Sequence, residues 1–321
     1  MRCLIFGLLL LVAGFAQASE YVIAVSVDGM GTTYMQRLID AGQLPHFKQI
    51  EAEGACTTNA RADYDMTVTL PNHTSMLTSR PVKAAGGHLW TSNTDPEEGM
   101  TIHSNAGQYV ASVFDVAREH GRRTGLWSTK TKFSLYAVSY HPDVFGYEKT
   151  SEELTASFLA AMQSQPCHFA FVHFGATDAA GHATEWGSDL FNAELITVDH
   201  CLGRMMAQMT NNPTLKGKTT LIVTADHGGK GNNHGDPAEP LDYTIPFLTW
   251  GAGVTAGDLY ALNAATRRAP GADRPDYAAK HQPIRNGDLG NLALSLLGRN
   301  AIPGSRINVR QDLRLRPASL P

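Results

Sequence analysis

The sequence predicts an α/β fold: a largely parallel central sheet with helices on both faces, in one domain with a small cap at most. Three near-continuous apolar runs carry that expectation, "YVIAVSVD" at 21–28, "FAFVHFGATD" at 169–178 and "TLIVTAD" at 220–226. Such β-branched runs suit strands buried on both faces. Each closes on an aspartate, and the stretches between them carry helical spacing, the alternation expected of a parallel sheet. Ligands of open α/β sheets gather beyond the carboxyl ends of the strands. Three acids at such ends therefore point to one site.

In chain order, residues 1–18, "MRCLIFGLLLLVAGFAQA", combine a basic Arg2, an apolar run from Cys3 to Phe15 and an Ala-Gln-Ala ending. This pattern predicts a signal peptide and an exported chain, periplasmic or secreted, whose α/β domain occupies 19–321. No later run is apolar over the roughly 18 residues that a membrane span needs. The strand at 21–28 is followed by "TVTLPNHTSM" at 67–76, where two threonines precede a Pro-Asn-His turn and a helix is expected after Asn72. A helix is expected within 106–121, and "LWSTKTKF" at 126–133 ends a strand, which would aim Lys130 and Lys132 to one side. Helices are predicted at 151–164 and 189–209, a further strand at 245–254, and a last helix at 286–298 closed by Gly298. Residues 255–285, rich in Ala, Arg and Pro, form a surface excursion or small cap.

Of 321 residues, 43% are hydrophobic and 17% charged, enough apolar material for a sizeable core. The formal net charge of -4 leaves no basic field for nucleic acid, so any phosphate ester that the chain takes as partner would be a small molecule recognised locally. Cys3 leaves with the signal; Cys56, Cys167 and Cys201 allow at most one bridge, Cys167 to Cys201, or stay as buried thiols.

The strand ends are rich in metal ligands. Asp28 closes the first run, Asp178 is followed four residues later by His182, and "ADHGGKGNNHGD" supplies Asp226, His227 and His234. An oxygen and imidazole set suits zinc or a similar divalent ion better than calcium or magnesium. Each pair alone is weak evidence, and Asp199 with His200, mid-helix, is read as structural. His73 is read as a turn or supporting group, and His173 as a strand residue near the site, with orientation of a ligand rather than metal binding as the alternative. A threonine hydroxyl is a poor nucleophile until something removes its proton. A cation does so without a general base, and two cations about 4 Å apart can clamp the attacking and leaving oxygens of a displacement at phosphorus.

In this order, "VDGM", "TLPNH", "TDAAGH", "TADHGG" and "NNHGD", spread over residues 27 to 236, resemble the alkaline phosphatase superfamily, and within it the type I phosphodiesterase/nucleotide pyrophosphatase branch. The resemblance implies two zinc ions, one held by Asp178, His182 and His234, the other by Asp28, Asp226 and His227. It implies Thr69 as nucleophile, touching the second ion, and Asn93 as the ligand of a phosphoryl oxygen. Thr67 is then strand packing and Asn72 a turn or cap residue. Leu70 stands where nucleotide pyrophosphatases carry an aromatic residue that stacks the base, so a nucleotide preference is not implied. Some phosphomonoesterases of the superfamily use a Lys-x-Arg pair against a terminal phosphate, which Lys130 and Lys132 resemble; two solvated lysines are the plainer reading. Sulfatases need a Cys-x-Pro-x-Arg context, which "CTTNAR" at Cys56 lacks. The expectation is an exported hydrolase of phosphodiester or pyrophosphate bonds working through a phosphothreonine. A phosphomonoesterase using the two lysines is the alternative enzyme, and a periplasmic metal- or phosphate-binding protein the alternative outside catalysis.

Overall fold

The computed structural model describes residues 19–317, so the signal segment lies outside the described residues. Eight strands form one sheet: β1 (Tyr21–Val27), β2 (Ala55–Arg61), β3 (Thr124–Ser128), β4 (Val144–Tyr147), β5 (Phe169–Phe174), β6 (Thr219–Thr224), β7 (Thr244–Gly251) and β8 (Gly257–Asp258). Their order is β4-β3-β5-β1-β6-β7-β2-β8. All neighbours are parallel except at β7, which runs antiparallel to β6 and β2. Every residue of β1, β5 and β6 is buried, which is why these strands read as unbroken apolar runs. The edge strand β4 alternates half-buried and exposed residues instead.

The helices are α1 (Thr32–Asp40), α2 (Pro45–Glu53), α3 (Thr69–Thr78), α4 (Ile102–Ala106), α5 (Val113–Glu119), α6 (Ser134–Tyr140), α7 (Ser151–Ser164), α8 (Ala176–Thr184), α9 (Asp189–Asn211), α10 (Pro240–Tyr243), α11 (Leu259–Leu262) and α12 (Leu289–Leu296). Two layers follow from their packing: α3, α5 and α12 pack together against one face, while α1, α2, α7 and α8 gather around α9 on the other. The Asp199 carboxylate of α9 accepts from the backbone N–H groups of His46 and Phe47, capping the start of α2, so that buried acid is structural.

The helix expected within 106–121 is broken. Gly107 ends α4 in a left-handed conformation (φ 64°), and Ser112 restarts the chain as α5 through a capping box with Asp115. Residues 255–285 add β8 beside β2 and are tied to it by the Arg61 guanidinium, which donates to the carbonyls of Gly271 and Asp273 (2.8 and 3.0 Å). Cys56, Cys167 and Cys201 are three separate thiols, which decides against the bridge. No helix among the described residues is long and apolar enough to cross a membrane.

Candidate active site

The register of β1 places Val27 opposite Phe174 of β5 and Ser26 opposite Thr224 of β6. Asp28 and Asp226, each just past its strand, therefore leave the sheet at the same level. Gly29, in a left-handed turn (φ 73°), donates its N–H to Asp226 Oδ1 (3.0 Å), and the His227 N–H donates to the same oxygen (3.0 Å). Asp178 lies in the first turn of α8, after β5, and the Thr177 hydroxyl beside it donates to the Asp28 carbonyl.

In each carboxylate one oxygen is tied down and the other is left over. Asp28 Oδ2 accepts from Lys130 Nζ (2.6 Å) and His173 Nε2 (3.0 Å), and Asp178 Oδ2 accepts from the same ammonium (2.6 Å). Asp28 Oδ1, Asp178 Oδ1, Asp226 Oδ2 and His227 Nε2 are buried without a hydrogen-bond partner. Buried polar atoms are rarely orphaned, so four in one cluster ask for a common partner.

The histidines give the same answer. His227 Nδ1 lies 2.8 Å from the Gly228 carbonyl, His234 Nδ1 2.6 Å from the Thr67 carbonyl and His182 Nδ1 2.9 Å from the Asn232 carbonyl. A carbonyl only accepts, so Nδ1 carries the proton in all three and each Nε2 presents a lone pair to the cluster. His182 Nε2 and His234 Nε2 nevertheless face each other at 3.1 Å, and stand 3.4 and 3.6 Å from Asp178 Oδ1. His227 Nε2 stands 3.2 Å from Asp226 Oδ2 and 3.5 Å from Asp28 Oδ1. Tetrahedral ligands at a zinc-type distance are about 3.3 Å apart. These spacings fit two such sites, and a cation removes the repulsion between the facing lone pairs.

Among the described residues, Asp178, His227 and His234 form one close group and Asp28, Asp226 and His227 another, with ligand atoms within 4.8 Å of each other in each. His227 thus borders both, its ring stacked on that of His234 at 3.6 Å, while His182, 44% exposed, stands at the solvent side. Burial holds the imidazoles of His227 and His234 below the usual range, in the neutral form that binds metal. Asp28 is held low against the penalty of burial by Lys130 and His173, whereas burial and then the charges of Asp28 and Asp178 push Asp226 up. An array of buried carboxylates this unequal needs more positive charge than Lys130 alone provides.

Thr69 is buried and is the first residue of α3, so the helix begins four residues earlier than the sequence suggested; Val68 before it is extended. Its neighbours fix its place. The carbonyl of Thr67 accepts from His234, and the Thr67 hydroxyl donates back to the His234 carbonyl, so Thr67 supports a ligand rather than merely packing a strand. His73, one turn on, donates from Nδ1 to the Thr69 carbonyl (2.8 Å) and sits 3.5 Å from Asp226 Oδ2. Asn72 braces the turn, its amide donating to the carbonyls of Met66 and Val68 (2.7 and 3.1 Å). The Leu70 N–H donates to Asn93 Oδ1 (3.0 Å), but the Leu70 side chain is wholly buried in the core. Leu70 is therefore no stacking platform for a substrate; only its backbone reaches the site.

The two lysines also differ from expectation. β3 stops at Ser128 and the chain turns into a short 3-10 helix at Thr131–Phe133, so strand alternation does not apply. Lys130 bridges Asp28 and Asp178, and Lys132 donates to Asn93 Oδ1 (3.0 Å); neither is a free solvated group. His173 orients Asp28, with Ser128 Oγ 2.9 Å from its Nδ1. The sequence reading missed Trp186. Its ring lies where a Cβ on Gly29, Gly181 or Gly229 would come within 3.1, 2.6 or 2.3 Å, and Nε1 donates to the Gly29 carbonyl (2.8 Å). One indole thus backs all three ligand loops, and only glycines leave room for it. It also missed Asn286, whose amide joins Asn72 Oδ1 (2.9 Å) to the Asp226 carbonyl (3.0 Å).

Residues 22–304 match the model of the type I phosphodiesterase / nucleotide pyrophosphatase family. The chain belongs to this family. Phosphoester hydrolysis is the chemistry of that family, and the candidate ligand groups are of the kind such hydrolases use. Among curated proteins, GPI ethanolamine phosphate transferase 1 of Neurospora crassa is 25% identical over 178 residues, 53% of this chain and 17% of the relative. The Homo sapiens protein of the same name is 25% identical over 171 residues, 52% and 17%. The chain thus matches a small part of these longer relatives. Among solved structures, murine ectonucleotide pyrophosphatase / phosphodiesterase 5, in an inactive threonine-to-alanine variant bound to AMP, superposes with a TM-score of 0.64 at 15% identity, covering 92% of this chain and 99% of that one. Alkaline phosphatase PafA superposes with a TM-score of 0.70 at 13% identity, covering 92% and 99%. At such identities the likeness is one of fold.

Proposed function

We propose that the protein is an exported two-metal phosphoesterase that cleaves phosphodiester or pyrophosphate bonds through a covalent phosphothreonine at Thr69. The observation that carries this reading is the set of orphaned ligand atoms on Asp28, Asp178, Asp226 and His227, beside the N-terminus of the helix that Thr69 opens. Asp178, His182 and His234 would hold one ion, and Asp28, Asp226 and His227 the other, with Thr69 next to the second. Divalent ions held there, zinc by the nature of the donors, would supply the Lewis-acid charge that a displacement at phosphorus needs.

Thr69 Oγ1 gives up its proton to solvent and attacks phosphorus, the bond from phosphorus to the leaving oxygen breaks, and that oxygen takes a proton from solvent. Water then attacks the phosphothreonine, the bond to Thr69 breaks, and a water proton restores the hydroxyl. Asn93 Oδ1 is occupied by the Leu70 N–H and by Lys132, which turns the Asn93 amide nitrogen outward as the donor to a phosphoryl oxygen. The start of α3 adds its dipole to the same anion. The inactive threonine-to-alanine neighbour bound to AMP supports Thr69 in the nucleophile's place.

Lys130 favours diesters: its ammonium is spent on Asp28 and Asp178 and does not offset the extra charge of a terminal phosphate. Lys132, beside Asn93, favours the second reading, a phosphomonoesterase. Initial rates on bis-p-nitrophenyl phosphate and p-nitrophenyl phosphate, with zinc and after EDTA, separate them. A metal-dependent preference for the diester supports the proposal; a preference for the monoester supports the second reading. Bound metal with no hydrolysis of either would make the chain a binding protein.

A further inference from the structure

A cavity of about 730 Å³ opens between the loop around Ala84, the excursion that carries Lys280 and the loop around Asn308. No proposed metal ligand, nor Thr69 or Asn93, lines it. Five cationic side chains, Arg267, Lys280, Arg285, Arg306 and Arg310, face two carboxylates there, Asp288 and Asp312. Both carboxylates are used by the buried Arg267, at 3.0 and 2.8 Å. Arg285 spends its guanidinium on the carbonyls of Ala62 and Pro275 and on Gln282. Lys280, Arg306 and Arg310 are exposed at the rim, and among the described residues no carboxylate pairs with them. On a chain of net charge -4 this is a concentrated positive spot.

Asn308 turns the spot into a site. It lines the cavity, is 7% exposed, and is held in a left-handed conformation (φ 49°). Its Oδ1 accepts from Arg267 (3.0 Å) and from the Leu313 N–H (3.2 Å), which fixes the amide, yet its Nδ2 is buried with no partner. A buried donor held in place without an acceptor is costly in an empty fold and useful in one that binds an oxyanion. Pro81, Ala84, Ile307 and Val309 supply apolar wall. The volume lies within the range of small-molecule sites.

We propose that this cavity binds a small organic anion with an apolar body, its anionic group shared between Asn308 Nδ2 and the rim guanidinium groups, separately from the catalytic cluster. Naphthalene-1,5-disulfonate is a suitable probe, being a rigid fluorescent dianion whose sulfonates are poor metal ligands. Its titration into the purified metal-loaded chain, followed by fluorescence anisotropy, should saturate at one per chain. Replacing Arg306 and Arg310 together by Ala should weaken binding about tenfold or more. Ala85→Glu, at the exposed rim, should weaken it in the same direction and serves as the test if the double variant does not fold. Asn93→Ala should bind as the parent does. Binding that does not saturate, equal affinity in the rim variants, or a loss of affinity in Asn93→Ala would overturn the assignment.

Discussion

Replacing Trp186 by Ala probes whether one indole holds the ligand loops together. Its side chain is 5% exposed, and its ring edges meet His182 and His234 at centroid distances of 5.2 and 5.8 Å. Truncating a buried Trp to Ala costs about 3–5 kcal/mol. The described chain, residues 19–317, unfolds with an entropy of about 2.1 cal/mol/K per residue, or ~0.6 kcal/mol/K in total, so the melting temperature should fall by roughly 5–8 °C. The same change removes the common backing of Gly29, Gly181 and Gly229, and loss of such support around a metal site lowers metal affinity about 10–100-fold. Trp186→Phe keeps a ring but removes the indole donor to the Gly29 carbonyl, which still accepts from the Gly31 N–H (2.9 Å), so it should lose about 0.5–1.5 kcal/mol and less affinity. Circular dichroism melting and competition for zinc with a chelating dye measure the two effects. An Ala variant that melts lower but binds metal as tightly as the parent would refute the keystone role and leave only a packing residue.

Asn93→Ala should lower kcat about 10²–10³-fold with metal content unchanged, as expected when one donor to a developing oxyanion is lost; an equal effect on metal content would make Asn93 structural. Inorganic analysis and initial rates on the same preparation give both numbers. Burial pushes the Cys56 thiol up to about 12 and the Cys167 thiol up to about 11. Both should therefore resist alkylation at pH 8 in the native chain and react once it is unfolded. An unfolded cysteine ionises near pH 8.5, so above that pH the unfolded state holds fewer protons and stability should fall as pH rises towards 12. Rapid native labelling, or a stability flat from pH 8 to 11, would contradict the burial of these thiols.

The sheet was legible because strands buried on both faces need apolar residues at every position, as β1, β5 and β6 show. Their aspartates were legible because parallel strands end at one level, so three separate sequence positions had to meet. Three kinds of feature were not legible. Lys130 turns towards Asp28 and Asp178 because β3 stops at Ser128 and the chain turns into a short 3-10 helix, a local geometry that alternation along a strand does not convey. Leu70 is buried because α3 starts at Thr69, and a helix start shifted by four residues redirects the side chains of that first turn. Trp186 serves three loops at once through contacts with glycines far apart in the chain, and the only available signal was a Gly in each ligand motif. The break between α4 and α5 was foreshadowed by Ser112 with Asp115, a capping box inside a run of helical spacing.

The most direct test of the account is to mix the metal-loaded chain with bis-p-nitrophenyl phosphate, quench in acid during the first turnovers and map the peptides by mass spectrometry. The account predicts one phosphoryl adduct, carrying a single p-nitrophenyl group, on Thr69 within the peptide "TVTLPNHTSM", and no adduct and no turnover in a Thr69→Ala variant that still binds metal. Turnover in that variant, or a modified residue other than Thr69, would contradict it.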